Sequence, residues 1–350
     1  MNAPRPSMVD WDLAVRVGSR LVGEGPHVSR SEAVAAVEEL RAGADRSTPL
    51  VREYTGLVAT ERSAPVLVVD RPGWIQANAD SFATIISPLV DKLTAKSAPG
   101  PLTEAIGSRI TGAELGAMLG FLGSKVLGQF DPFWDAPGEH GRLLLVAPNI
   151  VHTEREIGAD PSDFRLWVCL HEETHRVQFT AVPWMTEHLR SEMNAIVSTV
   201  QTDPGELARD LFSKVGDLVS GKSDGSLLDL FGSPEQKAII ERVTGVMSLL
   251  EGHADVVMDG VGPEVIPSVE EIRRKFTERR KGVGGLDKLL RRLLGLDQKM
   301  AQYRDGAVFV RAAVDKVGME GFNAVWASPE NLPSKAEILD PSLWISRVHG

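Results

Sequence analysis

His171, Glu172 and His175 sit inside the stretch LWVCLHEETHRVQF, residues 166–179, an apolar-rich run that contains neither glycine nor proline. Such a run reads as a helix. At about 100° per residue, side chains four positions apart lie only about 40° apart around the axis, so His171 and His175 can reach one ion together. Glu172, about 100° round from His171, can hold a water beside that ion without ligating it. These are the residue types that metal-assisted hydrolysis needs. The same spacing also occurs in a helix with two ordinary histidines, hydrogen-bonded or solvated, so the weight falls on a third ligand.

The elements that must carry such a site are mostly helices. A first helix falls within residues 8–23, a second starts at Ser29-Arg30-Ser31, and a β-like run, Pro65 to Val69, leads through Arg71-Pro72-Gly73 into a third. Pro88 either kinks the next apolar stretch or starts a helix. Residues 110–129 place Gly112, Gly116, Gly120 and Gly123 among leucines at helical spacing. Glu114 and Lys125 weigh against a membrane span there, so we read a helix whose glycines admit a close neighbour. Residues 141–151, GRLLLVAPNIV, are the best strand candidate, with a bend at Pro148-Asn149. Turn and cap residues Asp160 to Asp163 then start the histidine helix near Ser162, and Pro183 closes it near Thr180. Helices follow over 184–202 and 207–219, with a loop to Ser233. Ser233-Pro234-Glu235-Gln236 caps a long helix to about Gly260. Ser268 to Glu271 forms a capping box for a charged helix, EEIRRKFTERRK, read as a solvated face. Residues 286–296 and 300–317 supply two more helices before a proline-punctuated tail. The fold class is mainly α with a small β component. We expect a single domain over 1–350, with a helical part (1–140), a strand and metal-site helices (141–260) and a helical C-terminal part (261–350).

The bulk composition bounds the function. The 350 residues carry 38 basic against 48 acidic side chains, a net charge of −10, which argues against nucleic acid as a partner. Cys169 is the only cysteine, which excludes an intrachain disulfide or a cysteine zinc knuckle. No signal-like or membrane-length run is present, so the expected setting is the cytoplasm, without a membrane partner.

Catalytic zinc commonly takes three protein ligands and leaves a position for water. A metzincin continuation needs glycine at 178 and histidine at 181, where the chain has Gln178 and Ala181. The gluzincin pattern instead takes a glutamate from a later helix, with an aspartate one turn on that orients a ligating histidine. Glu251 and Asp255, in LLEGHADVVMD, have that spacing. The plain alternative is a pair of exposed carboxylates near a helix end. Gly252 permits a close neighbour. His253 can replace Glu251 as ligand, donate to a reacting oxyanion, or lie on the opposite face; we prefer the last two roles. His152, His188 and Tyr303 are further contacts that no spacing selects, and Cys169 reads as a small buried hydrophobe.

The blocks HEETHRVQF, EGHADVVMD and the C-terminal run LLRRLLGLDQKMAQYRDGAVFVRAAVDKVGMEGFNAVWASPENLP resemble the actinobacterial zincin-like metallopeptidase type 2 family over most of the chain. The resemblance implies a zincin-like helical fold and a zinc hydrolase, with His171 and His175 as the motif histidines and Glu172 as the motif glutamate. It supplies no substrate. The expectation is a gluzincin-type peptidase in which His171, His175 and Glu251 hold Zn²⁺, Asp255 orients a histidine and Glu172 is the general base for an activated water. Strand 141–151 would offer its edge to an extended peptide. The competing expectation is a helical protein whose metal serves stability or partner binding. A di-iron carboxylate protein is a further rival, since Glu172 to His175 reads Glu-x-x-His, but no second such motif is present.

Overall fold

The computed structural model describes residues 9–58, 64–96, 101–199, 233–281 and 296–350. These are mainly helical, with one three-stranded sheet, as expected. The chain divides into two compact units, residues 1–50, 59–180 and 266–269, and residues 51–58, 181–265 and 270–350.

The first unit holds α1 (Trp11–Leu21), most of α2 (Arg30–Thr55), β1 (Val66–Val69), α3 (Arg71–Lys96), α4 (Pro101–Gly123), β2 (Gly128–Ala136), β3 (Glu139–Val146), α5 (Ala147–Ile157) and nearly all of α6 (Pro161–Ala181). The strand order is β1-β3-β2, with β1 parallel and β2 antiparallel to β3. Leu143 to Val146 are all fully buried. Side chains alternate faces along a strand. Accordingly Leu144 and Val146 join Trp74, Ile75 and Leu119 on one side, while Leu143 joins Ala64, Phe130 and Phe179 of α6 on the other. A strand covered on both faces reads as an unbroken apolar run, which is why LLLV stood out.

Three features of this unit differ from the sequence reading. The strand expected over 141–151 ends at Val146, and Ala147-Pro148 opens α5 with proline in its first turn. Asn149 anchors that start, its amide donating to the Gly123 and Val126 carbonyls while its oxygen accepts from Arg71. Second, β3 is the central strand, paired on both sides over Leu143 to Leu145, so that stretch has no edge to offer a peptide. Third, β2 was not foreseen, because Asp131, Pro132 and Asp135 interrupt its alternation. Asp131 is buried there, accepting from the Ser81 hydroxyl at 2.5 Å and Arg142 Nε at 3.0 Å.

The glycines of α4 pack as expected. A Cβ on Gly112, Gly116 or Gly120 would strike the backbone of Asp10, Ala14 or Gly18 around α1. Among the described residues no helix is long and apolar enough to cross a membrane. Helix α2 continues through Gly43 and Pro49, and α3 spans Pro88 without restarting. The Ser47 hydroxyl of α2 donates to the Gly43 carbonyl four residues back.

The second unit contains α7 (Trp184–Thr199), α8 (Pro234–Val265), most of α9 (Val269–Lys281), α10 (Leu296–Phe322), two short 3₁₀ turns, α11 (Lys335–Leu339) and α12 (Pro341–His349). The tail is thus helical rather than merely punctuated. Helix α8 begins as read, with Ser233 Oγ accepting from Gln236 N–H and the Gln236 side chain accepting from Ser233 N–H, but it runs beyond Gly260. Gly252 does admit a close neighbour: a Cβ there would meet the Gly306–Ala307 backbone of α10, with Ala307 N at 2.5 Å. At α9 the expected capping box is displaced, because the Ser268 N–H and hydroxyl both donate to Asp163 Oδ2. Glu271 pairs with Lys275 instead, and Arg274 with Glu278, which suits a solvated face. The segments 207–219, 220–232 and 286–295 lie outside the described residues.

Candidate metal centre

Helix α6 carries the motif within the bounds the sequence suggested. Asp160 Oδ1 accepts the Asp163 N–H at 3.0 Å and Pro161 takes the first helical position, so the start is capped by side chain and ring together. Phe164, Leu166, Val168, Cys169 and Leu170 are buried along it. Cys169 is a buried hydrophobe as read, its Sγ 3.4 Å from the Leu40 carbonyl, and burial pushes its thiol far up.

The next turn carries the motif residues. His171 and His175 are half-buried, with ring centroids 4.9 Å apart and planes at 89°. Between them in sequence, Glu172 is only 8% exposed. A Cβ on Gly128, the first residue of β2, would lie 2.5 Å from Glu172 Cγ and 2.6 Å from Cδ. The carboxylate therefore lies directly over the strand's backbone, in space that only glycine leaves open. Two half-buried imidazoles on successive turns supply nitrogen donors of the kind that hold zinc, and the buried Glu172 carboxylate lies beside them.

Two residues that sequence reasoning passed over complete this turn. Gln178, weighed only as a departure from the metzincin pattern, is fully buried, with Oε1 2.9 Å from His175 Nδ1. Its signal in the sequence is its place one turn after His175. Glu173, also fully buried, is held by both Nε and NH2 of Arg176 at 2.8 Å and by the Thr48 hydroxyl at 2.8 Å. Arg176 also donates to the Ala64 carbonyl at 2.7 Å. This ion pair, with Glu173 fully buried, fastens α6 to α2 and to the chain entering β1, which gives the second glutamate of the motif an anchoring role.

A model of the zincin-like metallopeptidase family matches residues 9–345. The chain belongs to that family. Among solved structures, this zincin-like chain is similar to a Chloroflexus aurantiacus protein described as a "putative hydrolase with a novel fold", with 31% identity, a TM-score of 0.71, and coverage of 97% of this chain and 98% of that one. No curated protein matches.

The second unit places the other candidates of this family member on α8. Glu251 is half-buried and Asp255 exposed, on successive turns well before the helix end at Val265, so the expectation of a pair at a helix terminus does not apply. Asp255 accepts at its carbonyl from Arg273. His253 is fully buried, stacked on Phe322 at 5.6 Å and edge-on to Trp326 at 5.4 Å. That aromatic setting suits the opposite-face reading. His188 packs edge-on to Trp184 at 5.8 Å, and His152 is exposed beside Glu156. The Tyr303 side chain lies outside the described residues.

Proposed function

We propose that this chain is a zinc-dependent hydrolase of peptides or proteins, of gluzincin type, in which His171, His175 and Glu251 hold the ion. Asp255 would orient a ligating histidine. The observation that carries this reading is the turn of α6 on which Glu172 lies buried beside two half-buried imidazoles, in a chain that belongs to the zincin-like family. Zinc bound there would polarise a substrate carbonyl and acidify water. Glu172 takes a proton from the attacking water and returns it to the leaving amine nitrogen. Its seat over Gly128 limits the positions its carboxylate can adopt, which favours one proton-transfer geometry. The net charge of −10 supports a reading without a nucleic-acid partner, and a single cysteine suits a reducing cytoplasm.

The structural-metal reading has less support. Glu173, Arg176 and Thr48 already anchor α6 without an ion. The test is metal content paired with a Glu172→Gln variant on a broad peptide library. Protein purified without chelator is expected to carry about one zinc, and the variant to keep it while turnover falls at least about 100-fold. Zinc-free protein would sink the proposal. Unchanged turnover in Glu172→Gln, with a loss of thermal stability in His171→Ala, would favour the structural role.

A further inference from the structure

Gln178 is buried and touches a candidate ligand, yet the proton transfer above does not use it. Its Oε1 lies 2.9 Å from His175 Nδ1. Neutral imidazole carries one N–H and one lone pair, so this contact can be made in two ways. Either Nδ1–H donates to the amide oxygen, or the amide NH₂ donates to a bare Nδ1. The first leaves the lone pair on Nε2, while the second puts a proton there and closes that nitrogen to an ion. Histidine ligands commonly donate their second N–H to a fixed acceptor, which sets tautomer, ring orientation and basicity.

We propose that Gln178 is a positioning residue that holds His175 in the Nδ1–H tautomer, so that Nε2 faces the ion as a ready ligand. This rests on the zinc reading above. The partner comes from α6 itself, one turn on, so the ring is held before any ion arrives. It is a different residue from Asp255, which the sequence offered for such a role.

The test begins with metal-free full-length protein carrying ¹⁵N-histidine, at about pH 8, above the ordinary histidine pKa of about 6.5. His175 is assigned by the resonance lost in His175→Asn. It is expected to show a protonated Nδ1 and a bare Nε2. Zinc affinity is then measured by chelator competition for wild type, Gln178→Leu and Gln178→Glu. The leucine variant, which cannot accept, should bind zinc about 10- to 100-fold more weakly, and the glutamate variant should stay within a few-fold of wild type. A wild-type His175 protonated on Nε2, or a folded leucine variant with wild-type affinity, overturns the proposal. If the leucine variant does not fold, the wild-type tautomer decides alone. A protein that shows the Nδ1–H tautomer but binds no zinc overturns the zinc reading and still supports Gln178's hold on the ring.

Discussion

Glu172 and Gly128 form a pair in which the smaller residue sets the position of the larger. Gly128 does not need positive φ, so alanine there strains no backbone. What it displaces is the Glu172 side chain. Gly128→Ala is therefore expected to keep zinc and to lower stability by about 1–3 kcal/mol, because it strikes Cγ of a buried side chain, while turnover falls about 10- to 100-fold through the misplaced base. Equilibrium unfolding, metal content and turnover on the same preparation check it; unchanged turnover would show that the contact is incidental. Gln178 and Gly128 share a reason for escaping a reading of residue types. Each matters through one neighbour, and only the fold reveals that neighbour's identity.

At the scale of elements, α4 offers an internal comparison between glycines. Gly107 would meet nothing within 4 Å if given a Cβ, whereas Gly116 would strike Val17 and the Ala14 carbonyl of α1. Gly107→Ala should stabilise by about 0.5–1 kcal/mol through lost unfolded-state entropy, and Gly116→Ala should destabilise by about 1–3 kcal/mol. Chemical denaturation of both variants tests the pair, and equal signs would refute close α1–α4 packing. The Asp160 cap of α6 and the Ser233 cap of α8 could be read from sequence because their causes are local, and the glycines of α4 because they recur at helical spacing, although the partner that needs them is the distant α1. β2 could not, since its Asp131 is satisfied by Arg142 across the hairpin and by Ser81 of α3, 50 residues away in sequence. Gly43 inside α2 has the same character, with Cys169 of α6 occupying the space a side chain would fill. Likewise Asp163 of α6, 105 residues away in sequence, takes the N–H meant for the Ser268 box.

For the molecule as a whole, acid lability follows from carboxylates that are better bonded when charged. Burial alone would raise Glu337, but Arg347 and the Ser334 N–H and hydroxyl bond its ionised form and hold it below the ordinary 4.5. A folded-state pKa depressed in this way contributes stability above about 4.5 that is lost as pH falls through the lower folded value. Glu154 has the opposite sign, raised by burial despite Arg165, so its contribution improves as pH falls toward that range. Glu337→Gln should cost about 1–2 kcal/mol at pH 7, where the ion pair and helix cap are weakened. The difference from wild type should shrink by pH 3, as read by denaturant midpoints at both pH values. A constant gap would assign the loss to packing.

The central place of β3 also governs how the sheet assembles. β2 is joined to β3 by a short turn at Pro137-Gly138, whereas Val66 of β1 finds Leu143 across 143 − 66 = 77 positions of chain. Loop closure over that distance is slow compared with a hairpin. In refolding, the β2–β3 hairpin is therefore expected to form first, with Leu143 to Val146 unpaired on one side until β1 docks. That interval is when two chains can pair with each other, and the fold closes the opening with a strand made earliest yet placed last.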